Sequence, residues 1–179
     1  MSEGDALSDL YQELVLEHKR SPRNFGTMES PTHEARGTNP QCGDDVKVQL
    51  RIDGDRIEDI RFTGRGCAIC IASTSMMTQA VKKGDVASAL ALQERFRDVM
   101  TGKLEAGEAD LGKLASFSGV RRYPSRIKCV LLGWHALGHA INDAAGDDNV
   151  DLDVLRPCAV HVLSHRVWWG CRRSRGRGR

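Results

Sequence analysis

Val46-Lys47-Val48-Gln49-Leu50-Arg51-Ile52-Asp53-Gly54 is the stretch that decides the fold of this chain. Its apolar and polar residues alternate strictly, which predicts a half-buried β-strand, and Asp53-Gly54 is a strong signal for a hairpin turn. Residues 56–63 then return as the partner strand. The apolar phase slips between Ile57 and Ile60, which indicates a β-bulge or a register break in that strand.

Helical periodicity lies on both sides of this hairpin. Apolar residues recur at helical spacing and predict helices at 6–20, 69–82, 86–100 and 126–143, with a shorter one at 108–116. Residues 102–119 are rich in Gly, Glu and Lys and resemble an insertion between helices. A short sheet followed by helices is typical of an α+β fold, so we expect a single domain in which a small antiparallel sheet packs against several helices.

Length and composition favour one globular domain. The chain has 179 residues, of which 40% are hydrophobic, and no run approaches the roughly 18 consecutive apolar residues of a membrane span. Glu3 and Asp5 argue against the basic start of a secretory signal, so we expect a cytoplasmic protein without a membrane association. The six cysteines are then better explained as ligands or reactive thiols than as disulfides.

Charge divides the chain into two parts. Residues 156–179 hold seven arginines and no acidic residue, which leaves 19 basic and 24 acidic residues, a net charge of −5, in residues 1–155. The mildly acidic body argues against nucleic-acid binding there, whereas the basic end has to be considered separately.

Three stretches set a cysteine beside glycine, proline or charge, where a chain usually turns or a helix begins. They are Asn39-Pro40-Gln41-Cys42-Gly43-Asp44, Gly64-Arg65-Gly66-Cys67 and Arg126-Ile127-Lys128-Cys129. The first precedes the predicted strand, the second opens a helix, and the third places its cysteine in the first turn of another helix. Because a helix N-terminus and a bound metal both lower a thiol pKa, we expect thiolates at neutral pH. Three thiolates and one carboxylate make a four-coordinate set for zinc or iron with one exchangeable corner.

These motifs carry a family resemblance. The NPxCGD stretch, the GxGC stretch followed by Ala72-Ser73-x-Ser75-Met76-Met77, and Arg-x-Lys-Cys leading into Leu-Leu-Gly-Trp resemble the NifU/IscU-like iron–sulfur assembly superfamily over roughly residues 6–145. The chain is most similar to the SufU branch. Lys128 stands where IscU-type scaffolds have a histidine, and 61 residues lie between Cys67 and Cys129, in line with the SufU-type insertion.

The resemblance implies a set of roles. Its metal ligands would be Cys42, Asp44, Cys67 and Cys129, although Asp44 alone could instead cap a turn. Cys42 would accept persulfide sulfur from a SufS-like cysteine desulfurase and pass it to the SUF scaffold complex. Arg126 would steer the anionic sulfur group, the alternative being a solvated arginine at a helix start.

Two levels of activity are compatible with these roles. The chain would be at most a zinc-dependent sulfurtransferase, and otherwise a non-enzymatic scaffold that assembles and transfers a [2Fe–2S] cluster. Zinc, iron and a [2Fe–2S] cluster all suit the same donors. We expect a NifU/SufU-like iron–sulfur assembly domain with a SufE/NifU-like fold at residues 1–150, followed by an Arg-rich extension at 151–179 that we expect to be disordered.

Other cysteines give weaker signals. Cys67-Ala68-Ile69-Cys70 spells CxxC, but the family motif does not require Cys70, and a small buried or idle thiol is the favoured interpretation. Cys158, His161, His165 and Cys171 form a Cys2His2 set whose spacing fits no zinc-finger pattern. That set and the arginines around it leave open a zinc-stabilised nucleic-acid module in the tail. A metal-dependent or cysteine-nucleophile hydrolase is disfavoured because no Cys–His pair or His-rich zinc set accompanies the motifs.

Overall fold

The computed structural model describes residues 3–142, 149–151, 161–163 and 166–168, and the side chains of residues 11–142. The predicted tail set is therefore largely outside the described residues: Cys158, His165 and Cys171 fall there entirely, and His161 is described only as backbone. Of the helices that the structure describes, none is both long and apolar enough to cross a membrane.

The sheet confirms the predicted α+β class. Its strands are β1 (His33–Asn39), β2 (Asp44–Asp53), β3 (Arg56–Arg65) and β4 (Asn149–Asp151), in the order β3-β2-β1-β4. The first three are antiparallel neighbours, and β4 runs parallel to β1. The predicted domain boundary at residue 150 therefore falls inside a strand that pairs with this sheet. Two further short strands, β5 (His161–Leu163) and β6 (Arg166–Trp168), form an antiparallel pair of their own.

The predicted hairpin and its irregularity are both confirmed. β2 and β3 are joined through Gly54, whose φ of +60° suits a turn that only glycine adopts without strain. Arg51 pairs with Asp59 and Ile52 pairs with Ile57, so Glu58 has no partner in the ladder. This bulge lets Ile57 and Ile60 both face the core despite their odd spacing, and both are fully buried.

The helices follow the predicted order. Their bounds are α1 (Glu3–Arg20), α2 (Ala68–Val81), α3 (Val86–Met100), a 3₁₀ helix (Gly112–Arg122) and α4 (Pro124–Asn142). The predicted helix at 108–116 is confirmed only from residue 112: Asp110 has a φ of +46°, outside the helical region, and the helix that forms is a 3₁₀ helix starting at Gly112. α1 starts three residues earlier than expected and α4 starts two residues earlier, and strand β1 was not predicted.

The predicted insertion belongs to the core. Phe117 of the 3₁₀ helix is fully buried and makes edge-to-face contacts with Phe96, at 6.1 Å between ring centroids, and with Tyr11, at 5.7 Å. Phe96 in turn stacks on Trp134 of α4 at 4.5 Å. These aromatic contacts tie α1, α3 and α4 together through the segment that the sequence presents as an insertion.

α2 and α4 pack closely and carry two of the cysteines of interest. Gly133 of α4 faces Thr74 of α2 so tightly that a Cβ atom there would lie 2.3 Å from the Thr74 hydroxyl oxygen. Ser73 of α2 donates a hydrogen bond to the Val130 carbonyl at 2.7 Å and accepts one from the Trp134 indole at 3.1 Å. The relative position of these two helices is thereby fixed next to the sheet.

Candidate metal centre

Cys42 lies on the turn between β1 and β2. Asn39, the last residue of β1, pairs with Asp44, the first of β2, and the four residues between them form the turn. Gly43 has a φ of +66°, and the Cys42 amide donates to the Asn39 carbonyl at 3.2 Å. Cys42 is exposed on this turn. The predicted placement just before a strand is confirmed.

Asp44 is buried beneath the turn and holds the start of α2. Its Oδ1 accepts a hydrogen bond from the Cys67 amide at 2.7 Å, and its Oδ2 lies 3.9 Å from the Cys67 sulfur. Gly66 makes this approach possible, since a Cβ atom there would lie 2.9 Å from Asp44 Oδ1. Asp44 Oδ1 therefore accepts a hydrogen bond at the N-terminus of α2, while Oδ2 faces the sulfur atoms.

Cys67 is the N-cap residue of α2, as the sequence predicts. Its sulfur accepts a hydrogen bond from the Cys70 amide at 3.4 Å, which satisfies one of the free amides at the start of the helix. The side chain is partly exposed. Rotation about its Cα–Cβ bond would release the sulfur from this cap toward Asp44.

Cys129 is buried in the second turn of α4, not the first. The prediction was wrong because Pro124 begins the helix, a position that suits proline since its missing amide hydrogen is not needed there. Burial, followed by hydrogen bonds to Asp44 and Cys42, raises the pKa of the Cys129 thiol. This direction is opposite to the lowered pKa expected for a thiol near a helix start, and a bound cation would act against it.

Three of the four predicted ligands meet at one point. The donor atoms of Cys42, Asp44 and Cys129 all lie within 4.8 Å of one another, and the Cys42 and Cys129 sulfurs are 3.2 Å apart. A tetrahedral ion bound to sulfur at about 2.3 Å holds its sulfurs roughly 3.8 Å apart, so small movements would seat zinc between them. Cys67 is outside this group of three, and its sulfur contacts the group at Asp44 Oδ2, at 3.9 Å. Soft thiolates with one carboxylate suit zinc or iron.

Asn39 is a member of the site that the sequence argument did not single out. Its buried side-chain amide donates to the Cys129 sulfur at 3.5 Å. A donor of this kind stabilises negative charge on sulfur and orients the ligand. The signal was present in the quoted NPxCGD stretch, where Asn39 precedes Pro40, but an asparagine before proline is more usually a turn residue.

A cationic and aromatic rim surrounds the sulfurs. The exposed Arg126 guanidinium faces the thiols of Cys67, Cys129 and Cys42, and their negative forms raise its pKa. Lys19 donates to the Gly66 carbonyl at 2.9 Å. Burial, and then the nearby Cys67, raises the pKa of the Tyr11 phenol to about 12. Arg126 and Lys19 thus place positive charge beside the site.

Cys70 stands behind the site. It is fully buried, and burial raises the pKa of its thiol, with Asp44 and Cys67 adding to the shift. A neutral thiol without exposure is a poor nucleophile and a poor ligand. This environment agrees with the interpretation of Cys70 as a small buried thiol.

Sequence comparison finds a family match. Residues 10–144 match the family described as the NifU-like N terminal domain. The chain is 39% identical over 146 residues to the zinc-dependent sulfurtransferase SufU of Bacillus subtilis, covering 82% of this chain and 99% of that protein. It is 38% identical over 139 residues to the iron–sulfur cluster assembly scaffold protein IscU of Streptococcus pyogenes, covering 78% and 87% respectively.

Solved structures show the same architecture. FiSufU from Fervidobacterium islandicum superposes with a TM-score of 0.69 at 33% identity, covering 74% of this chain and 97% of that one. A NifU-like protein from Brucella abortus gives the same TM-score at 24% identity, covering 75% and 94%, and supports the fold alone.

Proposed function

The chain belongs to the NifU-like N-terminal domain family, and on that premise we propose that it is a SufU-like iron–sulfur assembly protein that accepts sulfur on Cys42. One observation carries the proposal: Cys42 is the most accessible member of a cluster whose other close donors, Asp44 and Cys129, are buried. An incoming persulfide would reach Cys42 first. The proposed partners are a SufS-like cysteine desulfurase and the SUF scaffold complex, in the cytoplasm, where free thiols persist.

Zinc would be held by Cys42, Asp44, Cys67 and Cys129. When bound, it would lower the pKa of these thiols and protect them from oxidation until the partner docks. The exposed turn between β1 and β2 lets Cys42 move away from the two buried donors without disturbing the strands. Asp44 and Cys129 stay in place because a strand and a helix hold them.

Sulfur acceptance is a thiol exchange at Cys42. Its thiolate attacks the outer sulfur of the desulfurase persulfide, the sulfur–sulfur bond of that persulfide breaks, and the desulfurase cysteine leaves as a thiolate. Cys42 then carries the additional sulfur. Arg126 would attract the anionic persulfide, since its guanidinium already faces the thiols of the site.

Desulfurase turnover with the purified partner enzyme tests this function. Cys42→Ala should abolish stimulation of the desulfurase and the gain of about 32 Da that one added sulfur gives in intact-mass analysis. Cys70→Ala is the matched control, because it removes a buried thiol from the same neighbourhood, and it should retain both. Full stimulation by Cys42→Ala, or sulfur found on Cys70, would contradict the proposal.

Arg126 has its own test within the same assay. Arg126→Ala should slow sulfur transfer to Cys42, and Arg126→Lys should restore part of the rate because it keeps the charge and loses the planar fork. Zinc content should be unchanged in both variants. Equal rates for the wild type and Arg126→Ala would leave Arg126 as a solvated helix-start residue.

A second candidate function is that of a scaffold which itself assembles a [2Fe–2S] cluster. The similarity to the IscU scaffold protein of S. pyogenes favours it, and the same donors suit a cluster. Metal analysis and an absorbance spectrum of protein isolated without oxygen separate the two functions. Colourless protein with about one zinc per chain supports sulfur acceptance, and a brown sample with iron and sulfide supports the scaffold.

A further inference from the structure

We propose that Cys42 and Cys129 form an intramolecular disulfide when the site holds no metal. Thiols in solution can reduce this disulfide, so the oxidation of the pair is reversible. Their sulfurs lie 3.2 Å apart although 87 residues separate them in the chain. The proposal deepens the proposed function and rests on it in one respect: the disulfide would occupy the sulfur-accepting thiol.

The geometry of the two residues favours bond formation. A disulfide needs its sulfurs about 2.05 Å apart, so the pair must close by roughly 1 Å. Cys129 is fixed in the buried part of α4, whereas Cys42 is exposed on a turn beside Gly43, where a Cβ atom would meet nothing within 4 Å. The closing movement can therefore be made by the turn alone, with the paired strands left in register.

The two remaining described cysteines are less suited to this reaction. The Cys67 sulfur accepts the Cys70 amide hydrogen at the start of α2 and lies beside Asp44. Cys70 is fully buried, so an oxidant in solution does not reach it directly. A CxxC sequence at a helix start would suggest a Cys67–Cys70 disulfide, but Cys70 is fully buried, and the two sulfurs that lie 3.2 Å apart are those of Cys42 and Cys129.

Hydrogen peroxide can serve as the oxidant. The Cys42 thiolate attacks one peroxide oxygen, the oxygen–oxygen bond breaks, and hydroxide leaves, which gives a sulfenic acid on Cys42. Cys129 then attacks the Cys42 sulfur, the sulfur–oxygen bond breaks, and the oxygen leaves as water with the thiol proton. Two thiols and one peroxide thus give one disulfide and two waters. A dithiol reverses the change by exchange.

Oxidation would therefore inactivate the site. The disulfide uses two of the four proposed metal donors and leaves Asp44 and Cys67, which are too few to hold zinc firmly. It also removes the nucleophile for sulfur acceptance. Bound zinc would block the reaction by keeping both sulfurs coordinated, so oxidation should act on the metal-free form.

The experiment uses the full chain after removal of metal with a chelator. Treatment with one equivalent of hydrogen peroxide, alkylation of free thiols and peptide mapping without reductant should identify a Cys42–Cys129 cross-link, with a loss of about 2 Da for two hydrogens. A zinc-loaded sample treated in the same way should show at least tenfold less cross-link. Mapping is needed because Cys158 and Cys171 are also in the chain.

Variants and outcomes decide the matter. Cys70→Ala should form the same cross-link, whereas Cys129→Ser should leave Cys42 to accumulate sulfinic and sulfonic acids, since no resolving thiol remains. A Cys67–Cys70 cross-link, or oxidation of wild-type Cys42 to acids without a cross-link, would overturn the proposal. If Cys129→Ser does not fold, the wild-type map decides alone. Sulfur acceptance by Cys42 without a cross-link refutes this inference only, and a cross-link without sulfur acceptance refutes the proposed function only.

Discussion

At the scale of single residues, Asn39 links the turn to the helix that faces it. It ends β1, its carbonyl accepts the Cys42 amide, and its side chain donates to the Cys129 sulfur. Outer partners of this kind commonly change metal affinity by about 10- to 100-fold when they are removed. Asn39 is thus the neighbour most directly placed to tune the site without binding the metal itself.

Asn39→Ala should weaken zinc binding by about tenfold or more, because Cys129 loses the donor that stabilises its negative form. Competition with a chromophoric chelator measures this affinity. Gln41→Ala is the control, since Gln41 is exposed on the same turn, and its affinity should match the wild type. Equal affinity for Asn39→Ala and the wild type would show that the 3.5 Å contact has no influence on the metal.

Replacing a proposed ligand should have a larger effect. Cys67→Ser and Cys129→Ser should each release the metal and lower the melting temperature, because metal binding contributes to folding. Asp44→Ala should alter metal exchange and keep the fold, since water can fill the fourth position. Metal content by mass spectrometry and thermal unfolding check all three variants. Unchanged metal and melting temperature in both serine variants would refute the ligand assignment.

At the scale of elements, the candidate metal centre depends on how closely α2 and α4 approach. Cys67 is the N-cap of α2 and Cys129 lies in the second turn of α4, and Gly133 of α4 lies directly against Thr74 of α2. A side chain at Gly133 would have no free space, because Thr74 of the facing helix already lies within contact distance. The separation of the two helices therefore sets the separation of two proposed ligands.

Gly133→Ala should lower the free energy of unfolding by about 1–3 kcal/mol, because the added methyl group overpacks the helix interface. It should also weaken zinc binding, although no ligand has changed. Gly119→Ala is the matched control, since a Cβ atom at Gly119 meets nothing within 4 Å. Denaturant unfolding and chelator competition give the two quantities. A Gly133→Ala variant as stable as Gly119→Ala would show that the helices can move apart at no cost.

Elements with strong periodicity could be predicted, and those decided by tertiary contacts could not. Alternation in β2 and the odd spacing of Ile57 and Ile60 gave the hairpin and its bulge, because both features are local. β1 has the sequence His-Glu-Ala-Arg-Gly-Thr-Asn, with little apolar alternation, and it is a strand because β2 pairs along it and Leu132 packs against Gly37.

The site shows the same division. Cys42, Asp44 and Cys67 could be placed because glycines and a helix start mark their positions in the sequence. The role of Asn39 and the raised pKa of the Cys129 thiol depend on burial between β1 and α4, which no local pattern displays. The contact between the Cys42 and Cys129 sulfurs likewise results from packing over a long sequence distance.

At the scale of the whole molecule, the proposed ligands precede the basic end of the chain. Removing residues 155–179 should preserve zinc content and desulfurase stimulation, because Cys42, Asp44, Cys67 and Cys129 all remain. Zinc analysis and the turnover assay on the truncated chain check this expectation. Loss of zinc would instead assign Cys158, His161, His165 and Cys171 to a metal site.

The arrangement of β1, its turn and α4 also determines at what stage of chain synthesis the site can form. A ribosome that adds about 5–20 residues per second needs roughly 3–12 s to go from Cys67 to Cys129. During that interval the nascent chain contains Cys42 and Cys67 and lacks Cys129. The proposed donor set is therefore complete only after α4 has been synthesised and has docked beside the turn that carries Cys42.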